Sequence, residues 1–223
     1  MERFWTLHLP GLILIACILS LPVTGFGQVS PAVTPDKTVA EKTPDSRAAF
    51  KDVAELDATI VLDIRYATEN NFTGKTIYPV ARCLLRADVA ERLVRVHRAL
   101  RTKGFGIKVY DCYRPLSVQK KFWAILPDER YVADPSKGSR HNRGAAVDVG
   151  LVDAAGNTLV MPSEYDDFSE RAHRSYRAAP DAALKNRAIL EEAMKKEGFI
   201  PFPTEWWHFD GPGWEAYPIA DFP

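Results

Sequence analysis

Residues 12–23 form an almost unbroken apolar run, which limits the possible folds more than any other feature because it separates a leader from the rest of the chain. The run is too short to span a bilayer comfortably as a mature helix, and Arg3 precedes it. Gly25 and Gly27 are small residues at the positions that a signal peptidase prefers, so we expect residues 1–27 to be a signal peptide. Export to the periplasm, with no stable membrane insertion after cleavage, is the preferred interpretation. A lipoprotein acylated at Cys17 and an uncleaved membrane anchor are the alternatives.

Residues 28–49 are rich in Pro, Thr, Ser, Lys and Asp, which is typical of a linker. The folded domain is therefore expected over residues 50–223. Lys plus Arg and Asp plus Glu both number 29, so the chain is formally neutral and we expect no nucleic-acid partner. With 46% hydrophobic residues the chain can bury a substantial core, which excludes a disordered protein. The oligomeric state is not predicted.

Hydrophobic patterning predicts the main elements of this domain. Apolar residues at spacings of three and four predict three helices, over residues 86–103, 117–126 and 181–197. Runs of β-branched and aromatic residues predict four strands and one hairpin partner, over residues 59–66, 107–110, 145–152, 204–209 and 158–161. Helices and antiparallel hairpins in separate parts of a chain are typical of the α+β class. We therefore expect an antiparallel sheet with helices packed on it.

Three residues are candidate metal ligands. His141 lies in a polar loop that leads into the predicted strand carrying Asp148, and His208 ends a Glu-Trp-Trp-His stretch in which two indoles would exclude water. A buried carboxylate is costly unless it is paired, and a divalent cation would offset that cost. Two imidazoles and one carboxylate leave one position of a tetrahedral zinc ion open for water, as in a catalytic site. Ordinary hydrogen bonds in the core explain either motif alone at least as well.

Two charged residues could act beside such an ion. Glu205 lies three residues before His208 and could accept the proton of a metal-bound water, but positions i and i+3 of a regular strand face opposite sides. A twist or bulge is therefore required. Arg114 follows the predicted strand 107–110 and could stabilise a developing oxyanion; the alternative is a surface arginine in a turn. His97 is expected to be a surface or boundary residue of its helix.

The chain resembles the D-alanyl-D-alanine dipeptidases, the VanX-type zinc peptidases within the larger D-Ala-D-Ala carboxypeptidase and Hedgehog-like superfamily. The resemblance rests on five segments in family order, residues 63–74, 111–115, 139–148, 166–173 and 205–208. It implies a Hedgehog/DD-peptidase-like fold and one Zn²⁺ per chain. It also implies the following roles: zinc ligands His141, Asp148 and His208, general base Glu205, and transition-state stabiliser Arg114.

The resemblance extends to substrate recognition. It implies that Asp166 binds the free amino group of the substrate, and that Ser139 and Tyr66 help to recognise a small D,D-dipeptide and its carboxylate. His173 has no ligand role in the family pattern and is expected to be structural. We therefore expect an exported zinc dipeptidase that cleaves D-Ala-D-Ala by attack of metal-bound hydroxide. A D,D- or L,D-carboxypeptidase acting on larger muropeptides and a noncatalytic binding module are the alternatives.

Export is a departure from the best-known members of the family, which act in the cytoplasm. A hypothesis for the role of an exported member is salvage of dipeptide released from peptidoglycan. Cys83 and Cys112 are the two cysteines that remain after removal of residues 1–27, and an oxidising periplasm allows them to pair. We expect a disulfide between them, which would also brace Arg114.

Overall fold

The computed structural model of the protein describes residues 49–223. The predicted signal peptide, Cys17 and the predicted linker up to residue 48 lie outside the described residues. The strands of the described part are β1 (Phe50–Asp52), β2 (Val61–Leu62), β3 (Leu84–Arg86), β4 (Phe105–Asp111), β5 (Ala146–Asp153), β6 (Ile200–Pro201) and β7 (His208–Asp210). The α-helices are α1 (Val53–Leu56), α2 (Ala87–Arg101), α3 (Leu116–Ile125) and α4 (Asp181–Lys196).

The central sheet has five strands in the order β2-β4-β5-β7-β6. Its pairs are antiparallel except for β2 and β4, which run parallel. Strands β1 and β3 form a separate antiparallel pair. The α+β class is confirmed, with one parallel pair at the edge of an otherwise antiparallel sheet.

Helix α2 covers the sheet with the apolar face that its sequence predicts. Val89, Leu93, Val96 and Leu100 are all buried, and the helix packs against β4 and α4. His97 lies on this buried face, so its predicted surface or boundary position is wrong. Its Nδ1 accepts from the backbone N–H of Ile107 at 3.1 Å, and its Nε2 lies 2.9 Å from the hydroxyl of Thr59. These two partners satisfy an imidazole that would otherwise be costly to bury.

Three predicted strands are shorter than the sequence indicates. The segment 59–66 contains only β2 followed by a 3₁₀ turn at Arg65–Ala67, and the predicted hairpin partner 158–161 contributes a single bridge between Val152 and Thr158. The segment 204–209 becomes a strand only at β7, because the backbone N–H of Trp206 donates to Ala172 O instead of to a neighbouring strand.

A disulfide joins Cys83 to Cys112, as predicted. Both residues are buried, and the bond ties the chain just before β3 to the residue that follows β4. Among residues 49–223 we find no helix with the length and apolar character needed to cross a membrane.

Candidate metal centre and active site

The three predicted metal ligands converge at two neighbouring inner strands of the central sheet. Asp148 on β5 is paired in register with His208 on β7, so the two side chains lie on the same face. His141 comes from the 3₁₀ turn His141–Arg143 that precedes β5. Nε2 of His141 lies 3.1 Å from Nδ1 of His208 and 3.3 Å from Oδ1 of Asp148, and the last two atoms are 3.0 Å apart. All three side chains are buried.

Gly144 makes the turn that presents His141 possible. It ends the turn with φ 65°, in the left-handed region that favours glycine, and its N–H donates to His141 O. A Cβ at this position would also collide with the ring of Phe50. The turn therefore requires glycine on two grounds.

The outer hydrogen bonds of the two histidines fix their tautomers. Nδ1 of His141 donates to the backbone oxygen of Cys112 at 2.6 Å, and Nε2 of His208 donates to Oδ1 of Asp210 at 2.9 Å. When both imidazoles are neutral, Nε2 of His141 and Nδ1 of His208 therefore carry the lone pairs, and these face each other and Oδ1 of Asp148. Three acceptors at such distances cannot satisfy one another and need a proton or a metal cation between them. Two imidazole nitrogens and one carboxylate oxygen suit zinc, so the residues present fit this ion.

Glu205 lies beside this cluster because residues 203–207 form a turn and a bend instead of a regular strand. This is the departure from strand geometry that its spacing from His208 requires. Its Oε2 is 3.7 Å from Nδ1 of His208, and the side chain remains 20% exposed. The two indoles that follow it are buried, and Nε1 of Trp206 donates to the hydroxyl of Ser163 at 2.9 Å.

Arg114 is held firmly at the same site. Its Nη2 and Nε donate to Oδ2 of Asp111 at 2.7 and 3.1 Å, and its Nη1 donates to Oε1 of Gln119 at 2.9 Å. Oδ1 of Asp111 in turn accepts from the hydroxyl of Tyr78 and from the N–H of Cys112. The guanidinium is buried, so the alternative of a surface arginine is wrong.

The predicted recognition residues lie around the same cavity. The hydroxyl of Tyr66 donates to Oδ2 of Asp166 at 2.9 Å, and the hydroxyl of Ser139 accepts from the N–H of His141. Asp166 has φ 59°, an uncommon conformation for a residue other than glycine. His173 is not among the residues that line the cavity.

The cavity itself is small, about 120 Å³, against roughly 300–1,000 Å³ for typical ligand pockets. Every predicted site residue lines it. The full set of site residues on its wall is Tyr66, Arg114, Ser139, His141, Asp148, Asp166, Glu205 and His208. One cavity thus brings together all the metal-binding, catalytic and recognition candidates.

The family model described as D-Ala-D-Ala dipeptidase matches residues 46–222 of this chain, a range that contains the whole site. The chain belongs to the D-Ala-D-Ala dipeptidase family. It is 38% identical over 168 residues to the D-alanyl-D-alanine dipeptidase of Escherichia coli strain K12, covering 75% of this chain and 87% of the relative. It is 32% identical over 185 residues to the D-alanyl-D-alanine dipeptidase of Enterococcus faecium, covering 72% of this chain and 91% of the relative. Membership makes this chain a peptidase.

A solved structure of the vancomycin-resistance D,D-pentapeptidase VanY in complex with Zn(II) is a more distant neighbour. It shares 19% sequence identity and gives a TM-score of 0.40, covering 60% of this chain and 76% of the VanY chain. At this level of similarity the neighbour adds nothing to the family assignment.

Two residues of this dipeptidase-family site were missed by sequence reasoning. The hydroxyl of Tyr165 donates to Oδ2 of Asp148 at 2.9 Å, and Asp210 is the carboxylate that holds His208. Asp210 could have been found from its spacing, since residues two apart on a strand share a face. Tyr165 adjoins Asp166 in a matching segment, but no spacing indicates its contact with β5.

The charged groups in this dipeptidase-family site strongly shift one another's pKa values. Without a metal ion, burial opposes protonation of His208, but hydrogen bonds to Asp148 and Asp210 outweigh it and raise its pKa to about 10, so that a proton on Nδ1 takes the place of the cation. Burial would raise the pKa of Asp148, yet the imidazole of His141 holds that pKa far below its usual range. The site therefore attracts positive charge.

The two carboxyl groups of the site that are not predicted metal ligands have raised pKa values. Burial raises the pKa of Glu205, partly opposed by His208. Burial, followed by the charge of Asp148, raises the pKa of Asp166 well above its ordinary value.

Proposed function

We propose that this chain is a zinc-dependent D-Ala-D-Ala dipeptidase. The observation that carries the proposal is the convergence of three lone pairs, from His141, Asp148 and His208, on one buried point. One zinc ion per chain, held by these residues, would supply a Lewis acid that polarises the peptide carbonyl and lowers the pKa of bound water. The family match and the names of the relatives support the substrate.

Glu205 transfers protons in the proposed reaction, and Arg114 stabilises the developing negative charge. Glu205 lies beside the ligand atom of His208, where it can take a proton from the attacking water and return it to the leaving amine. Arg114 lines the same cavity and donates to the carbonyl oxygen as negative charge develops on it. Its pairing with Asp111 and Gln119 fixes the guanidinium in advance, so little reorganisation is needed in the transition state.

The recognition residues favour a dipeptide over a longer muropeptide. Asp166 offers a carboxylate to the free amino group, held in place by Tyr66, while Ser139 and Tyr66 contribute to recognition of the dipeptide and its carboxylate. A cavity of about 120 Å³ suits a substrate of two small residues. A carboxypeptidase acting on larger muropeptides would need a cavity that is more open beside Asp166, where the amino group of a dipeptide binds.

Export to the periplasm is the second part of the proposal. The buried disulfide between Cys83 and Cys112 supports it, because disulfides persist in oxidising compartments and are rare in the cytosol. In this interpretation residues 1–27 are a cleaved signal peptide, residues 28–49 a linker and residues 50–223 the catalytic domain, and the enzyme salvages dipeptide from peptidoglycan. We expect the periplasmic fraction to contain a chain that begins at Gln28. Recovery of full-length protein in the cytosol would contradict export.

The proposed activity is tested by comparing hydrolysis of D-Ala-D-Ala by wild type and Glu205→Ala. The variant should still bind zinc, while kcat falls by at least about 10²-fold, the effect of losing a general base. The exposed Glu69 is a matched control, and Glu69→Ala should behave as wild type. Undiminished kcat in Glu205→Ala would overturn the role of Glu205, and no hydrolysis by zinc-loaded wild type would overturn the proposed function.

A further inference from the structure

Tyr165 occupies a fixed position directly behind the metal-binding cluster. Its ring is buried, stacks on Tyr110 with centroids 4.7 Å apart and 21° between the planes, and meets the indole of Trp207 edge-on at 5.3 Å. This packing leaves the phenol with one orientation, in which the hydroxyl points at Asp148.

The two oxygens of Asp148 have different partners. Oδ1 faces the lone pairs of His141 and His208 at 3.3 and 3.0 Å, whereas Oδ2 accepts the hydroxyl hydrogen of Tyr165 at 2.9 Å. A carboxylate can bind a metal ion through one oxygen or through both. A strong donor on Oδ2 favours the first mode, because the hydrogen bond draws electron density from Oδ2 and makes it a weaker metal ligand than Oδ1.

The hydroxyl of the neighbouring Tyr66 does not compete with Asp148 for the hydrogen of Tyr165. A phenol has a single hydrogen, and the hydroxyl of Tyr66 gives its own to Asp166 at 2.9 Å. The two phenol oxygens are 3.5 Å apart, so the hydrogen of Tyr165 is directed to Asp148 and the hydrogen of Tyr66 to Asp166. Asp148 and Asp166 thus each have their own phenol donor.

We propose that Tyr165 is a positioning residue that restricts Asp148 to one-oxygen ligation of the zinc ion. The restriction keeps the coordination number low and leaves a position open for water and substrate. Tyr165 does not touch the substrate in this proposal; it acts through Asp148. The inference rests on the proposed zinc site and adds a residue that determines the geometry of that site.

The experiment compares wild type with Tyr165→Phe, which keeps the aromatic packing and removes only the hydroxyl. The dissociation constant of Zn²⁺ should rise about 10- to 100-fold, the usual effect of losing an outer hydrogen bond to a metal ligand. In the Co²⁺-substituted protein Asp148 should bind through both oxygens, so the visible absorption should weaken toward the intensity typical of five-coordinate cobalt. Tyr110→Phe is the matched control, because the Tyr110 ring packs in the same stack and its hydroxyl does not donate to the described metal-binding residues; it should keep the wild-type spectrum and affinity.

The outcomes separate this inference from the zinc site itself. Wild type that binds neither Zn²⁺ nor Co²⁺ would overturn the proposed function. Wild type that binds both, together with Tyr165→Phe of unchanged affinity and unchanged Co²⁺ spectrum, would overturn only the role of Tyr165. If metal-free Tyr165→Phe is unstable, the rise in Tm on adding Zn²⁺ replaces the titration: a rise as large as in wild type also contradicts the inference.

Discussion

The proposed metal-binding and recognition sides of the cavity are built in different ways. On the metal-binding side, His141 lies in the turn before β5, Asp148 on β5 and His208 on β7. Each of these side chains has an outer hydrogen bond that fixes it. The recognition side, Tyr66 and Asp166, lies in a 3₁₀ turn and in a loop where Asp166 has a left-handed φ.

This difference shows how the two tasks are distributed. Metal binding needs ligand atoms held to within a fraction of an ångström, and paired strands supply that rigidity. The proposed recognition residues lie in connecting segments, which can change without disturbing the sheet. Perturbing the metal-binding side should therefore abolish the reaction, whereas perturbing the recognition side should change the preference for the substrate.

Metal removal should have the largest effect. Dialysis against a chelator should reduce hydrolysis of D-Ala-D-Ala to background, and it should also lower Tm because a ligand of the native state is lost. One equivalent of Zn²⁺ per chain should restore both, whereas Mg²⁺, which prefers oxygen ligands, should restore neither. Full activity of the metal-free protein would show that the cluster of His141, Asp148 and His208 is structural only.

Removal of the disulfide should have the next largest effect, on stability. The bond closes a loop with a sequence separation of 29, so Cys83→Ala/Cys112→Ala should lower the free energy of unfolding by about 3–4 kcal/mol in the chain-entropy model. Because Cys112 O accepts from Nδ1 of His141, the loss of the disulfide should disturb the metal-binding side more than the recognition side. Urea unfolding at fixed Zn²⁺ measures this effect, and wild type unfolded in strong reductant is the control. A double variant as stable as oxidised wild type would show that the bond contributes nothing.

The two motifs of the metal-binding side could be predicted from the sequence because the chemistry of each is local, although His208 lies 60 residues from Asp148. His141 and Asp148 belong to one turn-and-strand segment. His208 follows two tryptophans, a context that predicts a buried histidine. The amphipathic helices were also predicted to within about two residues, since the apolar period of α2 and α4 is unbroken. These features depend on neighbours along the chain.

The parts that could not be predicted depend on distant partners. Tyr78 and Asp111 are 33 residues apart, and Tyr165 and Asp148 are 17 apart, so no periodicity links them. The burial of His97 likewise depends on Thr59, 38 residues away. The parallel direction of β2 against β4 follows from how the connecting chain runs, which the alternation within each strand does not specify. The recognition roles came only from the resemblance to a family.

A change at Asp166 should have the smallest effect on the reaction and the largest on specificity. Asparagine tolerates the left-handed φ of 59° and keeps the shape of the side chain, so Asp166→Asn removes the charge and little else. We expect KM for D-Ala-D-Ala to rise about tenfold, because a charge-assisted hydrogen bond to the amino group becomes a neutral one that is weaker by about 1.4 kcal/mol. The value of kcat and the affinity for Zn²⁺ should change little.

The pH dependence of KM provides the decisive control for this variant. Burial and the charge of Asp148 raise the pKa of Asp166 above that of an ordinary carboxyl group. As the pH rises through that pKa the carboxylate ionises, and KM should fall until the amino group of the substrate loses its own proton. Asp166→Asn has no such group and should lack this fall in KM. If wild type and variant show the same profile, Asp166 does not bind the amino group, and recognition of that end lies elsewhere on the cavity wall.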